Sequence, residues 1–240
     1  MTIAVEIYDL VKFYGKVKAL DRLTFKVNEG EIFGLVGPNG AGKTTTLRII
    51  ATLLKPSSGI VRVFGYDVIE KPDEVRKLIS YLPEEAGAYR FLTGKEYLEF
   101  MGKIYHIPRD FIEEGIEIAS LGDAIDRQIR TYSKGMKRRL LVARALMVKP
   151  RLAILDEPTS GLDVAHALYV RNAIRKYAKE YSVTVILSSH NMLEVEYLCD
   201  RVALINEGRI VDIGTTEELI KRYGVRNLEE VFIKAIGGVA

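Results

Sequence analysis

The residues Gly37-Pro38-Asn39-Gly40-Ala41-Gly42-Lys43-Thr44 follow the pattern G-x-x-x-x-G-K-[ST] in full. Glycines at 37, 40 and 42 let the backbone curl until several N–H groups point inward at one anion. A helix that begins at the end of such a loop adds the positive end of its dipole. Lys43 brings a mobile positive charge for β- and γ-phosphates, and the Thr44 hydroxyl, followed by Thr45, is suited to Mg²⁺. The pattern predicts a cradle for a nucleoside triphosphate. A base-reading Asn-Lys-x-Asp motif is absent, which argues against a guanine-nucleotide switch.

A second candidate is Leu152-Ala153-Ile154-Leu155-Asp156-Glu157, an apolar strand ending in two acids. Alone it is a common pattern. Beside a phosphate loop it would deliver Asp156 to the outer shell of the metal, and Glu157 to a place where it orients or deprotonates the attacking water.

The elements that must position these groups are legible in the periodicity. Ile3, Val5 and Ile7, then Leu23, Phe25 and Val27, alternate as strands, closed by Asn28-Glu29-Gly30. Ile32 to Val36 is apolar on both faces, as a central buried strand is. The phosphate loop follows, then a helix from about Lys43 to Leu53, a turn at Lys55 to Gly59, and strand spacing at Val61 and Val63. Leu92 to about Leu121 reads as helices, with a capping box at Thr93-Gly94-Lys95-Glu96 and a break at Pro108. A long helix follows Ser133, and strands then alternate with helices to the pair Val202–Ile205 and Ile210–Ile213; short helices close the chain. Such alternation predicts an α/β protein, a largely parallel sheet wrapped by helices, with a helical stretch near 88–140 inserted into it.

Composition sets broad limits. The 240 residues are 48% hydrophobic and 28% charged with a net charge of +3, an ordinary folded protein whose mild charge demands neither nucleic acid nor an acidic membrane. Cys199 is the one cysteine and reads as a small buried apolar residue; no intramolecular disulfide can form, in keeping with a reducing compartment. The first residues lack the basic-then-apolar form of a signal peptide, and no apolar run approaches the ~20 residues that span a bilayer.

Thr131-Tyr132-Ser133-Lys134-Gly135-Met136 resembles the signature of the ATP-binding-cassette (ABC) ATPases, usually Leu-Ser-Gly-Gly-Gln, and Ala143-Arg144-Ala145-Leu146 continues the likeness. Ser160-Gly161-Leu162-Asp163 matches the family's dimer-contact loop, Ser188-Ser189-His190 its switch histidine, and Tyr14-Gly15 the aromatic that stacks on adenine. The resemblance runs from about Val5 to Leu219 in the family's order. It implies a P-loop NTPase (RecA-like) core with an N-terminal antiparallel β subdomain and an inserted helical subdomain. Residues 1–240 would form one ABC ATPase domain: core about 1–87 and 141–220, insertion about 88–140, tail 221–240. It further implies ATP and Mg²⁺ as ligands, catalysis by Glu157 with His190 and Lys43, and metal contacts from Thr44, Glu84 and Asp156. Ser133 and Gly135 would grip the γ-phosphate of ATP held by a second ATPase subunit, paired head to tail. The complex would sit on the inner face of the cell membrane through a separate permease, coupled near Glu84 to Phe91, with no nucleic-acid partner. A cassette acting on ribosomes or DNA is the alternative, although those carry two cassettes or a long coiled coil, and this chain shows one phosphate loop and no sustained heptads.

Some positions depart from the pattern. Glu84 stands where the family usually has glutamine, and Lys134 and Met136 replace glycine and glutamine in the signature. A carboxylate oxygen can ligate Mg²⁺ as an amide oxygen can, but adds negative charge near the triphosphate. The basic cluster Lys134, Lys137, Arg138 and Arg139 reads as a solvated helix face, since no aromatics interleave with it. Asn227 to Ile233 resembles the tail of cassettes serving multidrug, antibiotic or polysaccharide exporters, and equally a plain amphipathic helix.

Overall fold

A computed structural model describes residues 2–237; Met1 and residues 238–240 of the expected tail lie outside the described residues. In chain order, β1 (Ile3–Tyr14), β2 (Val17–Asn28) and β3 (Ile32–Val36) precede helix α1 (Lys43–Ile50). Next come β4 (Ser58–Val63), β5 (Tyr66–Asp67), α2 (Pro72–Leu78) and β6 (Ile79–Leu82). Helices α3 (Gly94–Tyr105), α4 (Arg109–Ala119) and α5 (Lys134–Met147) form the helical stretch. The chain then runs through β7 (Leu152–Asp156), α6 (Val164–Tyr181), β8 (Thr184–Ser189), α7 (Met192–Leu198), β9 (Arg201–Asn206) and β10 (Arg209–Gly214). Helices α8 (Thr216–Tyr223) and α9 (Leu228–Ala235) follow.

Two sheets result among the described residues. One is antiparallel in the order β2-β1-β4-β5, and the other runs β10-β9-β3-β8-β7-β6, parallel except for the β9–β10 hairpin. Every residue of β3, β7 and β8 is buried, which is what their unbroken apolar runs require of strands covered on both faces. Phe25 of β2 stacks on Phe33 of β3 with ring centroids 5.4 Å apart, tying the sheets through one core. Because β3, β6, β7 and β8 run parallel, the segments after them emerge at one edge: the phosphate loop, Glu84, Asp156-Glu157 and Ser189-His190.

The helical stretch begins where the capping box predicts. Thr93 Oγ1 accepts from the Glu96 N–H (3.1 Å), and the Glu96 carboxylate accepts from the Thr93 N–H (2.8 Å). Pro108 caps α4 and separates it from α3. Helix α4 docks on the rest through close contact of Gly115 with Met147 and a bond from the Tyr169 hydroxyl to the Ile118 carbonyl (2.7 Å). Nearby, the Lys149 ammonium pairs with Glu114 (2.9 Å) and lies 3.8 Å from the centre of the Phe111 ring.

Two local expectations change. Helix α1 ends at Ile50, not Leu53: Thr52 takes a left-handed φ of 62° and Leu53 is exposed, so the apolar run outlasts the helix. Helix α2 was not visible in the periodicity because it buries only Val75. Removing the cap with Thr93→Ala is expected to lower stability by about 1 kcal/mol while leaving nucleotide affinity unchanged, as read by urea unfolding and by titration with a fluorescent ATP analogue.

Candidate active site

The phosphate loop ends at Gly42, whose φ of 106° caps α1 in a conformation that side chains disfavour. Gly37 is required for a different reason: a Cβ there would run into the Ile205 carbonyl. Lys43, only 5% exposed, turns back over the loop, its ammonium donating to the carbonyls of Gly37 (2.7 Å) and Pro38 (3.1 Å) and lying 3.5 Å from Glu157 Oε1. Above the loop is a cavity of about 270 Å³ lined by residues from Pro38 to Thr45 and closed by Ala19, Glu84 and Glu157.

Asp156 ends β7 fully buried. Its Oδ1 accepts from the hydroxyls of Thr44 (3.1 Å) and Ser188 (2.6 Å), so β7, β8 and the first turn of α1 meet on one carboxylate oxygen. Burial, with the Asp156 charge second, raises the pKa of the neighbouring Tyr81 phenol. Glu157, next along, has a left-handed φ of 47°. Its N–H donates to Ser188 Oγ (2.9 Å), and His190 Nδ1–H donates to its Oε2 (2.8 Å). Its Oε1 is buried with no hydrogen bond. Behind this turn, buried Glu194 accepts from the hydroxyls of Ser189 (2.9 Å) and Thr159; burial raises its pKa, partly offset by those bonds.

The basic cluster is not the expected solvated face. Lys134 is exposed, but Arg138 is 7% exposed and directs its whole guanidinium into the protein, onto backbone carbonyls after β6 and β7. Arg139 donates to the Ala119 carbonyl (3.0 Å) and to that of Ser120, and packs over the Tyr169 ring at 4.0 Å. Four like charges within six residues masked this. The signal was spacing: Arg138, Leu141, Val142 and Ala145 recur at i, i+3, i+4 and i+7, and all are buried. Ser188 and Tyr81, which hold Asp156, were also not singled out as site residues; in the sequence each is one more member of an apolar strand.

The remaining expected residues lie apart from the cavity. Tyr14 ends β1, half exposed with the Lys12 ammonium 5.3 Å from its ring centre, and Ala19 of the adjoining strand lines the cavity instead. Exposed Ser133 caps α5, its hydroxyl accepting from the Met136 N–H (3.2 Å), and Gly135 is pressed on the ring of His166 so that a Cβ would collide. Asp163 of the expected dimer-contact loop caps α6 and holds that same His166. Cys199 is only partly exposed, packs in the core beside α7, and burial raises its thiol pKa.

A glycine loop between a buried strand and a helix, facing two acids at the end of a parallel strand two places away in the sheet, defines a P-loop nucleoside triphosphatase. Residues 20–160 match the family model described as ABC transporter. The chain is 43% identical over 227 residues to the daunorubicin/doxorubicin resistance ATP-binding protein DrrA of Streptomyces peucetius, covering 93% of this chain and 68% of that one. It is 40% identical over 223 residues to the bacitracin transport ATP-binding protein BcrA of Bacillus licheniformis, covering 92% and 73%. A solved ATP-binding subunit of an ABC transporter superposes with a TM-score of 0.86 at 28% identity, covering 97% of this chain and 99% of that one. The chain belongs to the ABC transporter family and is its ATP-binding, ATP-hydrolysing subunit; the ribosome or DNA alternative finds no support among these relatives. No helix among the described residues is long and apolar enough to cross a membrane.

Gly37→Ala tests the loop. The carbonyl of Ile205 cannot yield without disturbing β9, so ATP-analogue binding should fall by about tenfold or more, measured by equilibrium titration on protein shown to be folded by its melting curve.

Proposed function

We propose that this chain is the ATPase of an exporter, working as a head-to-tail pair beneath a membrane permease. The observation that supports it best is the placement of Glu157, buried beside the phosphate loop between the Lys43 ammonium and the His190 imidazole. Gly37 to Thr45 would hold the triphosphate, its phosphates replacing the carbonyl oxygens that now bind Lys43. Oε1 of Glu157, a buried carboxylate oxygen without a hydrogen bond, would take a proton from the attacking water. His190, anchored through Nδ1, would present its other ring nitrogen to the γ-phosphate.

No cluster of three or more His, Cys, Asp or Glu residues suited to a metal occurs among the described residues. The oxygens of Thr44 and Asp156, with Glu84 at the cavity edge, fit a hard cation that keeps its other positions for phosphate and water. Mg²⁺ held there would neutralise charge on the β- and γ-phosphates.

Ser133 and Gly135 lie outside their own cavity, at the start of a capped 14-residue helix, where they would meet the γ-phosphate of a second chain's ATP. Tyr14 would stack on adenine from the far end of the loop. The segment 88–140 would act as a helical subdomain against a nucleotide core formed by 1–87 and 141–220. Exposed Phe91, with exposed Tyr89 edge-on to Phe100 at 5.4 Å, would offer an aromatic surface suited to a permease loop. The relatives' names, for drug resistance and bacitracin transport, support export, and the complex would sit on the inner membrane face through the permease.

Glu157→Gln is expected to bind ATP, turn over about 10²- to 10⁴-fold more slowly and run as an ATP-dependent dimer in gel filtration. Turnover at the wild-type rate would remove Glu157 as the base. Glu84→Gln is expected to retain hydrolysis within about threefold, because an amide oxygen can replace the carboxylate oxygen; an inactive variant would give Glu84 a separate role. Affinity purification from source-cell membranes should recover a multi-span partner, and recovery of ribosomal proteins in its place would refute the transport reading.

A further inference from the structure

A guanidinium carries five N–H donors in one rigid plane. In Arg138 all of them are used on backbone carbonyls: Nε to Pro158 (2.8 Å), Nη1 to Pro83 and Glu84 (both 3.0 Å), and Nη2 to Asp156 and Glu157 (both 2.7 Å). None goes to a carboxylate, so the group is a clip on backbone and not an ion pair. The charges of Asp156, Glu84 and Glu157 stand close enough to stabilise a cation that burial alone would penalise.

The carbonyls belong to two turns. Pro83 and Glu84 follow β6, and Asp156 to Pro158 run from the last residue of β7, its parallel neighbour in the sheet, into the turn beyond it. One turn carries Glu84 to the cavity edge, and the other carries Glu157 into a left-handed conformation. The arginine itself belongs to α5, whose cap is Ser133 and whose first turn holds Gly135. A five-bond planar fork has little slack, so a shift of the start of α5 must be passed to both turns or break bonds.

We propose that Arg138 is a positioning residue that makes the Ser133 end of α5 and the turns bearing Glu84 and Glu157 move as one body. Engagement of Ser133 and Gly135 by a partner's nucleotide then sets the geometry for hydrolysis in this chain's own site, and the two sites of a dimer act cooperatively. The inference rests on the head-to-tail pairing proposed above. It adds a physical carrier: one side chain that touches neither nucleotide and links both.

Lysine offers three donors from a point charge and glutamine two from an amide, so neither can span both turns. The test measures ATP hydrolysis against ATP concentration for wild type, Arg138→Lys and Arg138→Gln. Each chain is also titrated with a fluorescent ATP analogue at concentrations too dilute for dimers, and melted to show that it folds; either folded variant suffices. Both variants are expected to bind the analogue within about twofold of wild type. Their kcat should fall about 10- to 100-fold, and the Hill coefficient for ATP should drop from its wild-type value toward about one. Lost stability alone would shrink the active fraction and leave the Hill coefficient unchanged. Wild-type kcat and cooperativity in the variants would overturn the inference, as would reduced kcat with cooperativity intact, or monomer binding lost in parallel with kcat. If wild type itself is non-cooperative and Glu157→Gln forms no ATP-dependent dimer, the pairing fails and the inference with it. A cooperative wild type with equally cooperative variants sinks the inference alone.

Discussion

Glu157 stands one residue beyond the buried strand β7 with φ at 47°, a conformation that costs a non-glycine residue roughly 1–2 kcal/mol. Its carboxylate is also buried, which costs more unless charges and donors meet it. The site can be understood as the set of contacts that make this one placement tolerable. The Lys43 ammonium and His190 ring face the carboxylate, Ser188 receives the N–H, and the Arg138 guanidinium and the Ser160 N–H hold the carbonyl. They come from four elements: α1, the end of β8, α5 and the loop before α6.

This arrangement explains why the central strands are apolar on both faces. Parallel strands place their C-terminal ends at one edge, and only a sheet covered by helices on both sides keeps that edge dry enough for short polar contacts to matter. The Phe25–Phe33 stack extends the same core into the antiparallel sheet, whose β2 contributes Ala19 to the cavity wall. Buried hydroxyls do the fine positioning. Ser188 links Asp156 to the backbone of Glu157, while Ser189 and Thr159 converge on Glu194 beneath the same turn.

The helical stretch is built differently. Helix α4 leans on the segment after α5 and on α6 through a few specific contacts, among them Glu114 with Lys149 and Ile118 with Tyr169, and the stretch exposes Tyr89, Phe91 and Phe100. Helix α5 belongs to both regions: its start carries Ser133 and Gly135, its second turn holds the backbone at Glu157, and its end packs against α4. A motion of the stretch therefore has a short route to the chemistry.

The sequence by itself determined the phosphate loop, the acid pair and the order of strands and helices. Those features depend on local rules: glycine spacing, apolar periodicity, the Thr93–Glu96 capping box and the proline at 108. Family likeness added His190 and the signature residues. Tertiary structure decided what local rules could not reach. It made Arg138 a buried clip where its neighbours suggested a solvated face, and it made Ser188 the bridge between Asp156 and Glu157. It also left Ser133 and Gly135 outside the cavity of their own chain. For Arg138 and Ser188 the physical reason is the same: a side chain's role is set by which polar groups the fold brings to it, and here those partners lie 18 to 55 residues away in the chain.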